Sequence, residues 1–272
     1  MRPVKPPRRP VAIVLCGSWV CLYITDCRSL VVKISIILPA FNEERLIVDT
    51  LRQVRVAAEA FTHRGWETEL IVCDNNSNDK TAELARAEGA LVVFEPVNQI
   101  ARARNRGAAA ATGEWLLFID ADSHPSRELL AEVADQIASG ECLAGGSAVV
   151  FAQPTRSVLV AAWVWNSLSR LLKWMAGAFI FVEARAFRQI GGFNQDFYIA
   201  EEIDLSQRLK LQARSRKRKI VILQQYPLVT SSRKLHLYSG WEYTKFLLNL
   251  VLSMGRSKHS RAACFPWYDG RR

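Results

Sequence analysis

The sequence predicts an α/β fold: a doubly wound, mostly parallel sheet with helices on both faces. Three observations carry that reading. Apolar, β-branched stretches alternate with helical ones four times between Lys33 and Ser126. Polar and acidic residues cluster where the predicted strands end, which is where open parallel sheets form their ligand crevice. The 272 residues are 50% apolar and 23% charged, enough to bury a sizeable core. The same composition excludes a disordered tail, a collagen-like fibre and a disulfide-stapled miniprotein.

The elements follow in order. Residues 33–39 (KISIILP) read as a buried parallel strand. Asn42 is placed to cap the next helix, with Glu43 and Glu44 favoured by the dipole of its first turn, and that helix should run to about Phe61. A second strand at 69–74 ends in the polar stretch 75–79, followed by an Ala- and Glu-rich helix. A third strand spans 90–94. An Ala-rich helix from about 99 to 112 is stopped by Gly113. The fourth strand, 115–119, runs into Asp120, Ala121 and Asp122, and Ser126 opens another helix.

The second half is less regular. Residues 158–172 are apolar and hold Trp163 and Trp165, residues 178–182 read as a strand, and Gly191 and Gly192 read as a turn. Residues 201–211 read as a helix, and 210–219 hold six basic residues and no acid. Residues 241–254 read as an amphipathic or buried helix. No linker interrupts the chain, so 33–255 is expected to be one domain with halves at 33–125 and 126–255, followed by a basic tail (256–272). Residues 1–32 differ in character. Arg2, Lys5, Arg8 and Arg9 precede an apolar run from Val11 to Ile24, read as a signal, a weak anchor or an extension outside the true coding region.

The net charge of +10 favours anionic partners without choosing among them. Six scattered cysteines lack metal-ligand spacing, so a zinc site is not expected and a cytoplasmic, reducing compartment is, with the cytoplasmic membrane face as the variant. The sharpest chemical signal is the pair Asp120 and Asp122 directly after a strand. Their hard oxygens suit Mg²⁺ or Mn²⁺ shared with a diphosphate; the plain alternative is a pair of loop or capping aspartates. Asp74 can accept from a base N–H or simply start an Asx-turn. Any of Arg102, Arg104 and Arg106 can hold a phosphate through paired donors, or line a solvated helix face. Glu201, Glu202 and Asp204 lie close together, so mutual repulsion or burial should raise one carboxyl toward neutrality.

Residues 37–44, 73–81, 103–107, 113–122, 177–181, 191–194 and 200–205, in that order, resemble the family 2 glycosyltransferases of the GT-A fold, over about residues 33–235. The resemblance implies a nucleoside-diphosphate-sugar donor, with 33–125 as the nucleotide-sugar half and 126–255 as the acceptor half. Pro39, Ala40, Phe41, Glu43 and Asp74 would bind the nucleotide, with Arg104 on a phosphate. The Asp-x-Asp element, Asp120, Ala121 and Asp122, would bind ribose and Mn²⁺ or Mg²⁺, with Asp122 the principal metal ligand and Asp120 on nucleotide or metal. The family's catalytic base falls at Glu202, where an Asp is usual, so Glu201 and Asp204 stay in play. Arg233 would close over the diphosphate and His236 would complete the metal shell. The Gln-x-x-Arg-Trp signature of processive synthases is absent, so single-sugar, inverting transfer is expected.

The acceptor stays open among sugar, lipid and protein. The basic run and the tryptophans allow peripheral membrane contact, or at the limit a non-enzymatic membrane-surface protein. No nucleic-acid reader motif accompanies the charge. A sugar-phosphate nucleotidylyltransferase needs a Gly-rich phosphate loop after the first strand, and residues 39–42 contain no glycine. A dinucleotide dehydrogenase fails for want of Gly-x-Gly-x-x-Gly.

Overall fold

The unbroken apolar run at the start of the regular region becomes β1 (Lys33–Ala40), buried through Ile34, Ile36, Ile37 and Leu38 and paired in parallel on both sides. The computed structural model describes residues 31–232, 259–261 and 264. After β1 come α1 (Ile47–Thr62), β2 (Glu67–Asp74), α2 (Thr81–Ala87), β3 (Leu91–Phe94), α3 (Ile100–Ala110) and β4 (Trp115–Ile119). The short β5 (Ser123–His124) leads to α4 (Arg127–Ala138), β6 (Cys142–Phe151) and α5 (Arg156–Leu172). The described chain continues through β7 (Phe179–Glu183), α6 (Ala184–Gln189), α7 (Glu201–Ser215) and β8 (Lys219–Thr230).

The eight strands lie in the order β3-β2-β1-β4-β7-β6-β8-β5. From β3 to β4 the sheet is parallel. Beyond β4 it is mixed: β7 runs antiparallel to both β4 and β6, β8 is parallel to β6, and β5 is antiparallel to β8. Helices cover both faces. Ile34, Ile36 and Leu38 pack with Leu51, Val54 and Phe61 of α1 and Leu130 and Val133 of α4. Ile37 points the other way, into a second core with Ala101 of α3, Phe187 of α6 and Leu205 and Leu209 of α7. The α3 helix comes close to the sheet because Gly107 has no side chain; a Cβ there would overlap the Ile37 side chain.

The chain crosses from β3 to the far side of β1 before forming β4, so the carboxyl ends of β1 and β4 flank a topological switch point. The expected cap at Ser126 forms, its side chain accepting from Leu129 N at 3.1 Å. The expected cap at Asn42 does not. Asn42 adopts a left-handed φ of 53°, its Oδ1 accepts from Asn78 N at 2.9 Å, and α1 starts later at Ile47 with no side-chain cap. Its short amide bonds across to the β2 loop instead of to its own helix.

Three strands lie outside the sequence expectation: β5, β6 and β8. In β6 the pair Gly145 and Gly146 hides the strand signal, yet a Cβ at Gly145 would overlap the Phe181 ring. In β8, Pro227 sits where the register against β6 shifts, between the pairs Ser147–Leu223 and Val149–Leu228. The basic run 210–219 is not a free patch. Arg216 and Arg218 both pair with Glu183, and Lys219 pairs with Glu141.

Candidate active site

Strand ends supply the first layer. Asp74 closes β2 opposite Ala40 of β1 and is buried, its Oδ1 accepting from Ser77 N at 3.0 Å in the turn geometry that was its plain reading. Glu43 is also buried, its amide donating to Thr81 Oγ1 at 2.8 Å. Asn75 fastens the next loop: its Oδ1 accepts from Gln99 N at 2.9 Å and its Nδ2 donates to Val97 O at 2.6 Å. Pro39 and Phe41 are half-buried at the end of β1, while Ala40 belongs to the core and its carbonyl accepts from Asn75 N at 2.8 Å.

Asp120 and Asp122 follow β4. The amide of Asp120 donates to Ala178 O at 3.2 Å, and the carbonyl of Asp122 accepts from Ser231 N at 3.1 Å, so the end of β8 lies against this turn. Asp122 is buried. Ala121 between them turns inward, its carbonyl accepting from Thr50 Oγ1 of α1 at 2.8 Å, which ties the turn to the helix layer. Since β1 separates β2 from β4, Asp74 and Asp120 stand two strand spacings apart, about 10 Å.

Arg104 joins this layer to α7 through partners inside the protein. Its guanidinium is 1% exposed. One terminal nitrogen donates to Glu201 Oε1 at 2.6 Å; the other donates to Asp120 Oδ1 at 3.0 Å and to Gly177 O at 2.8 Å. Among the described residues its buried Nε has no hydrogen-bond partner, and the Phe193 ring lies 5.2 Å from the guanidinium carbon. The fork that the resemblance puts on a phosphate binds two carboxylates and a carbonyl of the chain itself. Asn105 seats that ring, bonding the amide and carbonyl of Phe193 at 2.9 and 2.8 Å.

The acids of α7 differ in their surroundings. Glu201 is buried against Arg104; burial pushes its carboxyl up, and Arg104 pulls it part of the way back. Glu202 is half-buried and holds its proton to about 8, first because of burial and then because of the Glu201 charge. Gly177 is close to both groups: a Cβ on it would lie 3.2 Å from Arg104 and 3.7 Å from the Glu202 side chain. Asp204 is not part of this group. It pairs with Arg208 one helical turn on, at 2.6 Å, and Arg208 also bonds Ile190 O.

Arg233 and His236 lie outside the described residues, so the site is described without them. Among the described residues no three His, Cys, Asp or Glu side chains gather as a ready-made metal cage. That donor set fits a divalent ion only if the ligand supplies further oxygens, the usual arrangement for Mg²⁺ held by one or two carboxylates and a substrate's phosphates. A cavity of about 430 Å³ lined by Gly113, Trp115, Arg185 and Arg188 opens at the other end of β4 and contains none of these acids.

Sequence reasoning missed Gly177 O, Phe193 and Asn105 as supports of the acids. All three fall in family-like segments, Gly177 in 177–181, Phe193 in 191–194 and Asn105 in 103–107, and that was the one available signal.

The chain matches glycosyl transferase family 2 over residues 35–189. It belongs to that family. Among curated family relatives, glycosyltransferase AglD of Haloferax volcanii is 30% identical over 116 residues, which cover 40% of this chain and 18% of that protein. An uncharacterized glycosyltransferase of Mycobacterium tuberculosis is 30% identical over 132 residues, 48% of this chain and 53% of that one. These matches span less than two thirds of either relative's length. The fold is that of solved glycosyltransferases. A mannosyltransferase of Pyrobaculum calidifontis, solved with GDP-Man and Mn²⁺, superposes with a TM-score of 0.58 at 18% identity, covering 87% of this chain and 67% of that one. Glucosyl-3-phosphoglycerate synthase of M. tuberculosis, solved with Mg²⁺ and UDP, gives 0.55 at 19% identity, covering 89% and 81%.

Proposed function

We propose that this family 2 chain transfers a single sugar from a nucleoside-diphosphate sugar to an acceptor hydroxyl, with inversion and with a divalent metal. The observation that carries the reading is Arg104: one buried guanidinium binds both Asp120 of the β4 turn and Glu201 of α7, so donor-side and acceptor-side acids belong to one cluster.

In this reading the nucleotide lies across the strand ends, with Glu43, Asp74 and the β1 end toward the nucleoside and Asp120 toward the ribose and diphosphate. Mn²⁺ or Mg²⁺, held by Asp122 with Asp120, His236 and the phosphate oxygens, would neutralise charge on the leaving group. The neighbouring enzymes solved with Mn²⁺ and GDP-Man, or with Mg²⁺ and UDP, support that choice. Glu202 takes the proton of the acceptor hydroxyl as its oxygen bonds the anomeric carbon, and the bond to the nucleoside diphosphate breaks on the opposite face. Arg104 is a positioning residue here: it holds Glu201 and Asp120 in place and limits how far the Glu202 proton affinity rises. Arg233 is assigned to the diphosphate.

The test is a thermal-shift screen of UDP-, GDP- and dTDP-sugars with and without Mn²⁺, followed by product analysis with the donor that binds. Metal-dependent stabilisation by one donor class and a product of inverted configuration are expected. Pyrophosphate release from a nucleoside triphosphate and a sugar phosphate would replace this reading with nucleotidyl transfer.

A further inference from the structure

We propose that α5 is a membrane-docking helix whose outward face seats in the interface of a bilayer containing anionic lipids. The proposal goes beyond glycosyl transfer and does not depend on it. Of the 17 residues of α5 only Ser169 is buried. Trp163 is 70% and Leu171 77% exposed, and Leu159, Val160, Val164 and Leu168 are exposed with them. Their spacing of three and four residues makes one continuous apolar stripe along the helix. The opposite side is fastened down: Asn166 bonds the amide and carbonyl of Val149 at 3.0 and 2.9 Å, and Ser169 Oγ donates to Trp174 O at 2.5 Å. No described helix is long and apolar enough to cross a membrane, so the stripe fits a helix lying in the interface.

Charge selects the occupant. Between Glu141 and Glu183 the chain has no acidic residue, while Arg156, Arg170 and Lys173 are on or next to α5. Lys210 of α7 adds an ammonium at its end by donating to Leu172 O. A second copy packed on this face would bring the same cations together with no acid to offset them. The chain's own residues 233–258 are also basic, with Arg233, Lys234, Lys245, Arg256 and Lys258 against Glu242 alone. A surface of anionic headgroups over acyl chains satisfies both the cations and the tryptophan.

The helix leads directly to the proposed acceptor side. Met175 N donates to Ser206 Oγ at 3.0 Å, and Ser206 Oγ donates to Glu202 O at 2.7 Å. Docking through α5 therefore brings Glu202 toward the bilayer, which suits an acceptor carried on a lipid; that consequence alone rests on the transferase reading.

The experiment is flotation of the full chain with vesicles of phosphatidylcholine alone and of phosphatidylcholine containing phosphatidylglycerol, at low and high salt. Wild type should float with the anionic vesicles and less so at high salt. Trp163→Glu with Leu171→Glu should lower the partition about tenfold or more and leave the melting temperature and donor binding unchanged. The proposal is overturned if wild type does not float, or if the double variant floats like wild type. It is equally overturned if the variant splits a dimer, which identifies a second copy as the occupant, or melts well below wild type, which identifies the chain's own cover. Donor binding in the same samples keeps the two readings apart. Donor binding without flotation sinks the docking helix alone, and flotation without donor binding sinks the transferase reading alone.

Discussion

Replacing Arg104 with Met tests the architecture of the site most directly. The side chains of Arg104 and Glu201 are 1% and 5% exposed, and their nitrogen and oxygen are 2.6 Å apart. Removing one partner of a buried pair leaves the other uncompensated and costs about 3 kcal/mol or somewhat more, a large part of the stability of a domain this size. The pH dependence has a definite sign. Glu201 already lies above the ordinary 4.5 because it is buried, and Arg104 opposes that rise. Without Arg104, folded Glu201 holds its proton to still higher pH. The loss should therefore be greatest in neutral and alkaline buffer and shrink below 4.5, where the carboxyl is protonated whether the chain is folded or not. Urea denaturation across this range measures it. Arg104→Lys should fall between wild type and Arg104→Met, because an ammonium cannot reproduce the guanidinium fork. In Arg104→Met combined with Glu201→Gln the two losses should overlap by about 1.5 kcal/mol or more. Additive losses, or a cost for Arg104→Met below about 0.5 kcal/mol at every pH, would refute the bridge.

The other predictions address the chemistry and the packing. Asp122→Asn should cut metal-dependent transfer about 100-fold or more with an unchanged melting curve; wild-type turnover would remove Asp122 from the metal site. Glu202 must be unprotonated to act as a base, so transfer should climb with pH toward a midpoint near 8, and Glu202→Gln should lose that limb and about 100-fold or more in kcat. Because the folded carboxyl keeps its proton to about 8 while the unfolded one releases it near 4.5, stability should fall as pH rises across that window, and Glu202→Gln should flatten the slope in urea melts. Asp204→Asn removes a pair with Arg208 on the same helix, worth about 0.5 kcal/mol, and should leave turnover near wild type. Gly107→Ala should cost about 1–3 kcal/mol by forcing α3 away from Ile37, read as a lower urea midpoint.

Local pattern by itself determined the first half of this protein. An apolar run of β-branched residues can be buried as a strand without knowing its neighbours, so β1, β2, β3 and β4 and the helices between them were legible. So was the placement of Asp74, Asp120 and Asp122 at strand ends, because acids that follow such runs fall at the carboxyl ends of the strands. The tertiary structure decided what long-range contact alone can decide. The β6 and β8 strands hide behind a glycine pair, a proline and a basic stretch, and they form because they pair with each other across the chain, as in the bond from Leu228 N to Ser147 Oγ, 81 residues apart. On the sequence Arg104 reads as a phosphate ligand or a solvated helix residue, and only the fold brings Glu201, 97 residues away, to its guanidinium. The resemblance put the base of α7 at Glu202 and kept Glu201 and Asp204 in play; burial and the choice of partner give the three acids different surroundings. Hydrophobic periodicity is a property of neighbours along the chain, whereas a carboxylate's solvation and its counter-charge exist only after folding.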